Sequence, residues 1–131
     1  MKKEGILNNN LSKLVAEMGH TDKLVICDAG LPISSDANRI DLALTQGIPK
    51  FLDTLKVTLE ELVVEKAIVA KEMKEVSPKL YRKTLDILDD IPVEYYNHEK
   101  FKKKSEESKG IVRTGETTPY ANIILISGVD F

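Results

Sequence analysis

Two histidines and an aspartate stand where the chain turns, and side chains of these types can move protons or hold hydroxyls. His20 lies in Gly19-His20-Thr21-Asp22, and Asp28 opens Asp28-Ala29-Gly30-Leu31-Pro32. His98 follows Val93-Glu94-Tyr95-Tyr96-Asn97. An imidazole titrates near neutral pH, so it can both give and take a proton. A further polar stretch runs Arg113-Thr114-Gly115-Glu116-Thr117-Thr118-Pro119-Tyr120-Ala121-Asn122. It offers a guanidinium, a carboxylate, hydroxyls, a phenol ring and an amide, a mixture suited to a polyhydroxylated ligand. Each feature also has a plainer reading. His20 can be a solvated turn residue with Asp22 orienting the turn, and His98 can be a helix cap. Tyr120 and Asn122 can be ordinary turn chemistry.

Other chemistries find less support. The histidines lack close ligand spacing and no His-Glu-x-x-His pair exists, so no metal is expected. Cys27 reads as a small hydrophobe in a buried strand, not as a nucleophile. Lys102-Lys103-Lys104 is followed at once by Glu106 and Glu107, which suits a solvated helix face. With neither a Gly-x-Gly-x-x-Gly nor a Walker Lys-Ser/Thr pattern, no nucleotide cofactor is expected.

The elements around these residues alternate in type. Leu7, Leu11, Leu14, Val15 and Met18 recur at helical spacing, predicting a helix over residues 8–19. Asn8 or Asn9 can cap it, and Gly19 suits a left-handed residue at its end. Residues 24–27 are continuously apolar, predicting a buried strand over 23–28 with Asp28 at its carboxyl end. Ligands of open α/β sheets bind outside that end. Residues 39–44 alternate like a half-buried strand. A second helix, with Asp53 as its cap, presents Leu55, Leu59, Leu62 and Val63 inward. Residues 66–70 read as another buried strand. Ser77-Pro78 marks a third helix, with a capping hydroxyl and proline at its first position. Residues 93–96 follow as a strand. Residues 110–114 and 122–126 form two further strand-like runs, separated by a loop that favours an antiparallel pair. The expected fold is α/β: a single domain over residues 1–131 with a mixed, mostly parallel central sheet flanked by helices.

Composition narrows the partners. Of 131 residues, 42% are hydrophobic and 31% charged, enough for a real core without metals or disulfides. A net charge of −2 gives no general grip on nucleic acid or an anionic membrane. One cysteine excludes an internal disulfide. No apolar run approaches the ~20 residues of a membrane span. Met-Lys-Lys-Glu-Gly lacks an apolar segment behind its lysines, so a cytoplasmic location is expected.

Taken together, Gly19-His20-Thr21-Asp22, Asp28-Ala29-Gly30-Leu31-Pro32, Arg113-Thr114-Gly115-Glu116 and Pro119-Tyr120-Ala121-Asn122 resemble the D-ribose pyranase family, which is related to the L-fucose mutarotases. The likeness runs from Lys3-Glu4-Gly5-Ile6-Leu7-Asn8 to Gly128-Val129-Asp130-Phe131. It implies a cytoplasmic, cofactor-free isomerase that interconverts pyranose and furanose forms of D-ribose. By the same resemblance His20 is the proton donor, and Asp28, His98 and Tyr120-Ala121-Asn122 bind sugar. It also implies a homo-decamer with sites near subunit contacts. The alternatives are a mutarotase for another sugar, such as L-fucose, and a non-catalytic ribose-binding module.

Overall fold

Helices and strands follow the expected order through most of the chain, with the short helix Lys71–Val76 the one helix not expected, between the strand over 66–70 and the Ser77-Pro78 helix. A computed structural model describes residues 1–131. Its first half runs α1 (Asn9–Glu17), β1 (Lys23–Cys27), β2 (Arg39–Asp41), α2 (Phe51–Glu61) and β3 (Val64–Ala70). The second half runs α3 (Lys71–Val76), α4 (Pro78–Leu88), β4 (Val93–Tyr96), α5 (His98–Ser105), β5 (Gly110–Arg113) and β6 (Ile123–Ser127). The strands form one sheet in the order β2-β5-β1-β6-β3-β4. β1, β2, β3, β4 and β5 share one direction, and only β6 runs against its neighbours β1 and β3. The fold is α/β with a mixed, mostly parallel sheet.

The antiparallel element is real, but its partner differs from expectation. β5 and β6 do not pair with each other, because β1 lies between them. The connection over residues 114–122 crosses the carboxyl end of β1 and is fastened to it. Thr114 donates its N–H and its hydroxyl to the Cys27 carbonyl, at 3.0 and 2.7 Å. The Asp28 N–H donates to Asn122 Oδ1 at 2.9 Å. A loop of this length can step over one strand, whereas a two-residue turn cannot. The polar loop therefore lies at the end of the strand that carries Asp28.

The two faces of the sheet are covered unequally. Leu24, Ile26, Val69, Val112, Ile123 and Leu125 pack with Leu14 of α1, Phe51 and Leu55 of α2, Met73 of α3 and Leu88 of α4. On the opposite face Val25, Cys27, Ile68, Ile111 and Ile124 meet Phe101 of α5 and Leu31. Each fully buried aliphatic side chain contributes roughly 1.5–3 kcal/mol, so these layers hold the strand ends in register. Cys27 is fully buried, and desolvation pushes its thiol up to about 12, which suits a packing role.

Several helix ends depart from the sequence reading. Asn8 does cap α1, accepting the Leu11 N–H at 2.9 Å. Gly19, however, does not take the left-handed conformation; Thr21 does, at φ 71°. α1 ends instead at Met18, whose N–H returns to the Val15 carbonyl, and Gly19 begins a separate turn. Asp53 does not cap α2: it sits inside the first turn, and Glu116 accepts the Phe51 N–H from across the fold at 3.1 Å. The Ser77 hydroxyl makes no capping bond either, donating to the Pro119 carbonyl at 2.7 Å. Both long-range bonds hold the 114–122 loop.

Candidate active site

Asp28 is braced from two sides at the carboxyl edge of the sheet. Its Oδ1 accepts the Gly30 N–H at 2.9 Å, and its Oδ2 accepts Asn122 Nδ2–H at 3.2 Å. Asn122 also receives the Asp28 N–H, so its amide clamps backbone and side chain of one residue. Burial raises the Asp28 pKa above its ordinary 3.8, and the donors from Gly30, Asn122 and Leu31 and the His98 charge only partly offset it. The carboxylate is held still and made more basic than a solvated one.

His98 and Tyr120 complete the same cleft. His98 is the first residue of α5, behind the capping residue Asn97, whose Oδ1 accepts the Lys100 N–H at 2.8 Å. Its own N–H donates to the Glu72 carboxylate at 3.0 and 3.2 Å, tying α5 to α3. The His98 ring stacks near Phe101, with centroids 6.4 Å apart, and meets Tyr120 edge-on at 5.0 Å. Its Nδ1 is buried and has no hydrogen-bond partner. An unpartnered buried polar atom costs roughly 1–3 kcal/mol. Tyr120 adopts φ 62°, uncommon for a side chain of its size, and its carbonyl accepts the Asn122 N–H at 2.8 Å. Asp28, Leu31, Pro32, His98, Tyr120 and Asn122 line a cleft of about 250 Å³.

Arg113 and Glu116 brace this edge. Arg113 Nη1 donates to both Asp41 oxygens at 3.1 Å, and its Nε donates to the Ala29 carbonyl at 3.2 Å. Glu116 accepts the N–H of Phe51 and the hydroxyl of Thr118. Burial pushes Glu116 upward, but the donors from Phe51, Thr118 and Thr117 outweigh it and hold the carboxyl below 4.5. Gly115 can only be glycine here, since a Cβ would run into the carbonyl oxygens of Thr45 and Ile48. Ala121 is fully buried in the core, so the loop presents its neighbours Tyr120 and Asn122 at the cleft and not its methyl group.

His20 is not in this cleft. It precedes β1, whereas Asp28 follows it, so the strand separates them by roughly 15–20 Å. The Gly19-to-Asp22 turn is closed by Asp22 Oδ2, which accepts the Gly19 N–H at 2.8 Å and Lys109 Nζ–H at 3.1 Å. The Thr21 N–H donates to the Ser127 carbonyl, fixing the turn to the end of β6. His20 Nε2 lies 3.0 Å from Glu65 Oε2, with both side chains about half exposed. Neither Glu65 nor Glu72 was identifiable in the sequence, because each meets its histidine only through sheet pairing across many residues.

One edge thus gathers a basic carboxylate, an imidazole, a phenol and an amide around a small polar cleft, and the other presents a second imidazole. The chain matches the profile of the RbsD / FucU transport protein family over residues 1–130 and belongs to that family. It is 56% identical over 131 residues to the D-ribose pyranase of Coprothermobacter proteolyticus, with 100% of both chains covered. Its structure resembles that of Bacillus subtilis RbsD complexed with D-ribose, at TM-score 0.96, 47% identity and 100% coverage of both chains. The fucose mutarotase of Streptococcus pneumoniae, solved with L-fucose, aligns over 100% of both chains at TM-score 0.86 and 26% identity.

Proposed function

We propose that this chain is an isomerase that interconverts the pyranose and furanose forms of D-ribose, a reading in keeping with the name D-ribose pyranase that its relatives carry. The observation that carries the reading is the cleft in which Asp28, His98, Tyr120 and Asn122 converge. In this account His98, Tyr120 and Asn122 fix the sugar while Asp28 and His20 move its protons. Asp28 takes the proton of the anomeric hydroxyl as His20 protonates the ring oxygen. The bond from the anomeric carbon to the ring oxygen then breaks, giving the open aldehyde. Rotation brings a different hydroxyl to the carbonyl carbon. That hydroxyl returns its proton to His20, Asp28 returns its own to the carbonyl oxygen, and the smaller ring closes. Both groups finish as they began, and the reaction calls for no hydride, phosphate or metal.

Because His20 and Asp28 lie at opposite sheet edges, one sugar meets both only where two copies abut. The proposal therefore includes a homo-oligomer, decameric by the family resemblance, in which one copy supplies Asp28 and its neighbour His20. Residues 1–131 act as one domain in it, located in the cytoplasm. No helix of the structure is long and apolar enough to cross a membrane.

The test is proton NMR of D-ribose at equilibrium, following magnetisation exchange between pyranose and furanose signals. Protein should accelerate the exchange, and His20→Ala should slow it by ~10²–10⁴-fold with ribose binding nearly unchanged. Binding without acceleration would leave a ribose-binding module. Faster anomer exchange of L-fucose than ring exchange of ribose would move the chain to the mutarotases.

A further inference from the structure

The structure assigns Glu65 as the positioning residue of His20: its carboxylate holds the Nε2–H and leaves Nδ1 as the ring nitrogen that meets the sugar. This rests on the reading of His20 as proton donor, and it adds a residue and an atom to that reading. An ionised carboxylate can only accept, so the 3.0 Å contact puts a proton on Nε2. A second bond from the imidazole must then be made through Nδ1, and a protonated ring can release the Nδ1 proton while the Nε2–H stays on Glu65. The same division of labour between two ring nitrogens orders the imidazole of a catalytic triad.

Two features of the backbone argue that this contact is built and not an incidental surface pair. First, the β3–β6 pairing slips between Val64, opposite Ser127, and Lys66, opposite Ile126. Glu65 is the extra residue of that irregularity, and such bulges re-aim a side chain out of the regular alternation of a strand. Second, Gly128 faces it across the sheet end, where a Cβ would come within 3.2 Å of Glu65 Cβ. The small residue leaves Glu65 its path. The His20 turn hangs from the same place, since the Thr21 N–H bonds the Ser127 carbonyl and the Gly128 N–H bonds the Val63 carbonyl. Donor and orienter are thus both referenced to residues 127–128. A half-exposed contact of this kind contributes little to stability, so its value lies in where it holds the ring.

The decisive experiment is a double-mutant cycle read by ribose exchange on the assembled protein. Glu65→Ala should slow exchange at saturating ribose about tenfold, with the ribose concentration dependence unchanged. Glu65→Gln, whose Oε1 can still accept the Nε2–H, should recover most of the rate. In the His20→Ala background, Glu65→Ala should change nothing further. A Glu65→Ala protein at the wild-type rate overturns the assignment while a slow His20→Ala leaves the proton donor standing. Equal slowing by Glu65→Ala in both backgrounds also overturns it, making Glu65 structural only. A wild-type rate in His20→Ala removes the donor itself, and the role of Glu65 with it.

Discussion

The two edges of the sheet are finished to different degrees. At the carboxyl edge, Asp28 is clamped by Asn122, which is 1% exposed, and the surrounding loop is pinned by Ser77, Glu116 and Thr114. At the amino edge, His20 has 53% of its side chain exposed and one side-chain partner, Glu65. The first edge is a preorganised cleft whose polar groups are mostly spoken for within the chain. The second is a single imidazole on a short, well-anchored turn. Under the proposed mechanism, this separation gives each copy two half-sites, and the catalytic unit is the contact between copies.

The largest effect should come from removing the carboxylate that defines the finished edge. Asp28→Asn should lower exchange by ~10²–10⁴-fold and also weaken ribose binding, because in the proposed mechanism the residue both accepts a proton and forms the cleft. His20→Ala, by contrast, should spare binding. If the two variants show the same split between rate and affinity, the distinction between the edges fails. For the wild-type protein, the acid side of the rate profile should fall at a pH above that of an ordinary carboxylate at 3.8, since burial raises Asp28. A profile flat through that region would contradict the assignment of Asp28 as base.

A smaller effect should follow from loosening the brace. Glu116 is held below its ordinary 4.5, so its contribution to stability is present above that pH and is lost as pH falls through the lower folded-state value. The difference in Tm between wild type and Glu116→Gln should therefore be positive near neutrality and shrink on acidification. A Tm difference that does not vary with pH would show that the bonds to Phe51 and Thr118 are not what stabilises the loop.

Much of this was legible in the residues. The apolar run at 24–27 announced a buried strand with Asp28 at its productive end, and helical spacing announced α1, α2 and α4. What escaped was everything decided by pairing across the chain. Residues 110–114 and 122–126 read as an antiparallel pair because a short connection favours one, whereas β1 intervenes. Asp53 and the Ser77 hydroxyl read as helix caps because local bonds are the default, yet Glu116 caps α2 and Ser77 holds the loop. The strand predicted over 23–28 already sets His20 before it and Asp28 at its carboxyl end, as the structure has them. Only the three-dimensional arrangement supplies Glu65 beside His20 and Glu72 at the His98 N–H.

The most direct test of the division between the two edges is complementation between defective copies. His20→Ala and Asp28→Asn chains would be co-expressed, co-purified and assayed by ribose ring exchange against each variant alone. If one copy's His20 serves its neighbour's Asp28, mixed assemblies regain intact sites, with exchange near a quarter of wild type for random one-to-one mixing. Mixed assemblies no faster than the separate variants would contradict the shared site.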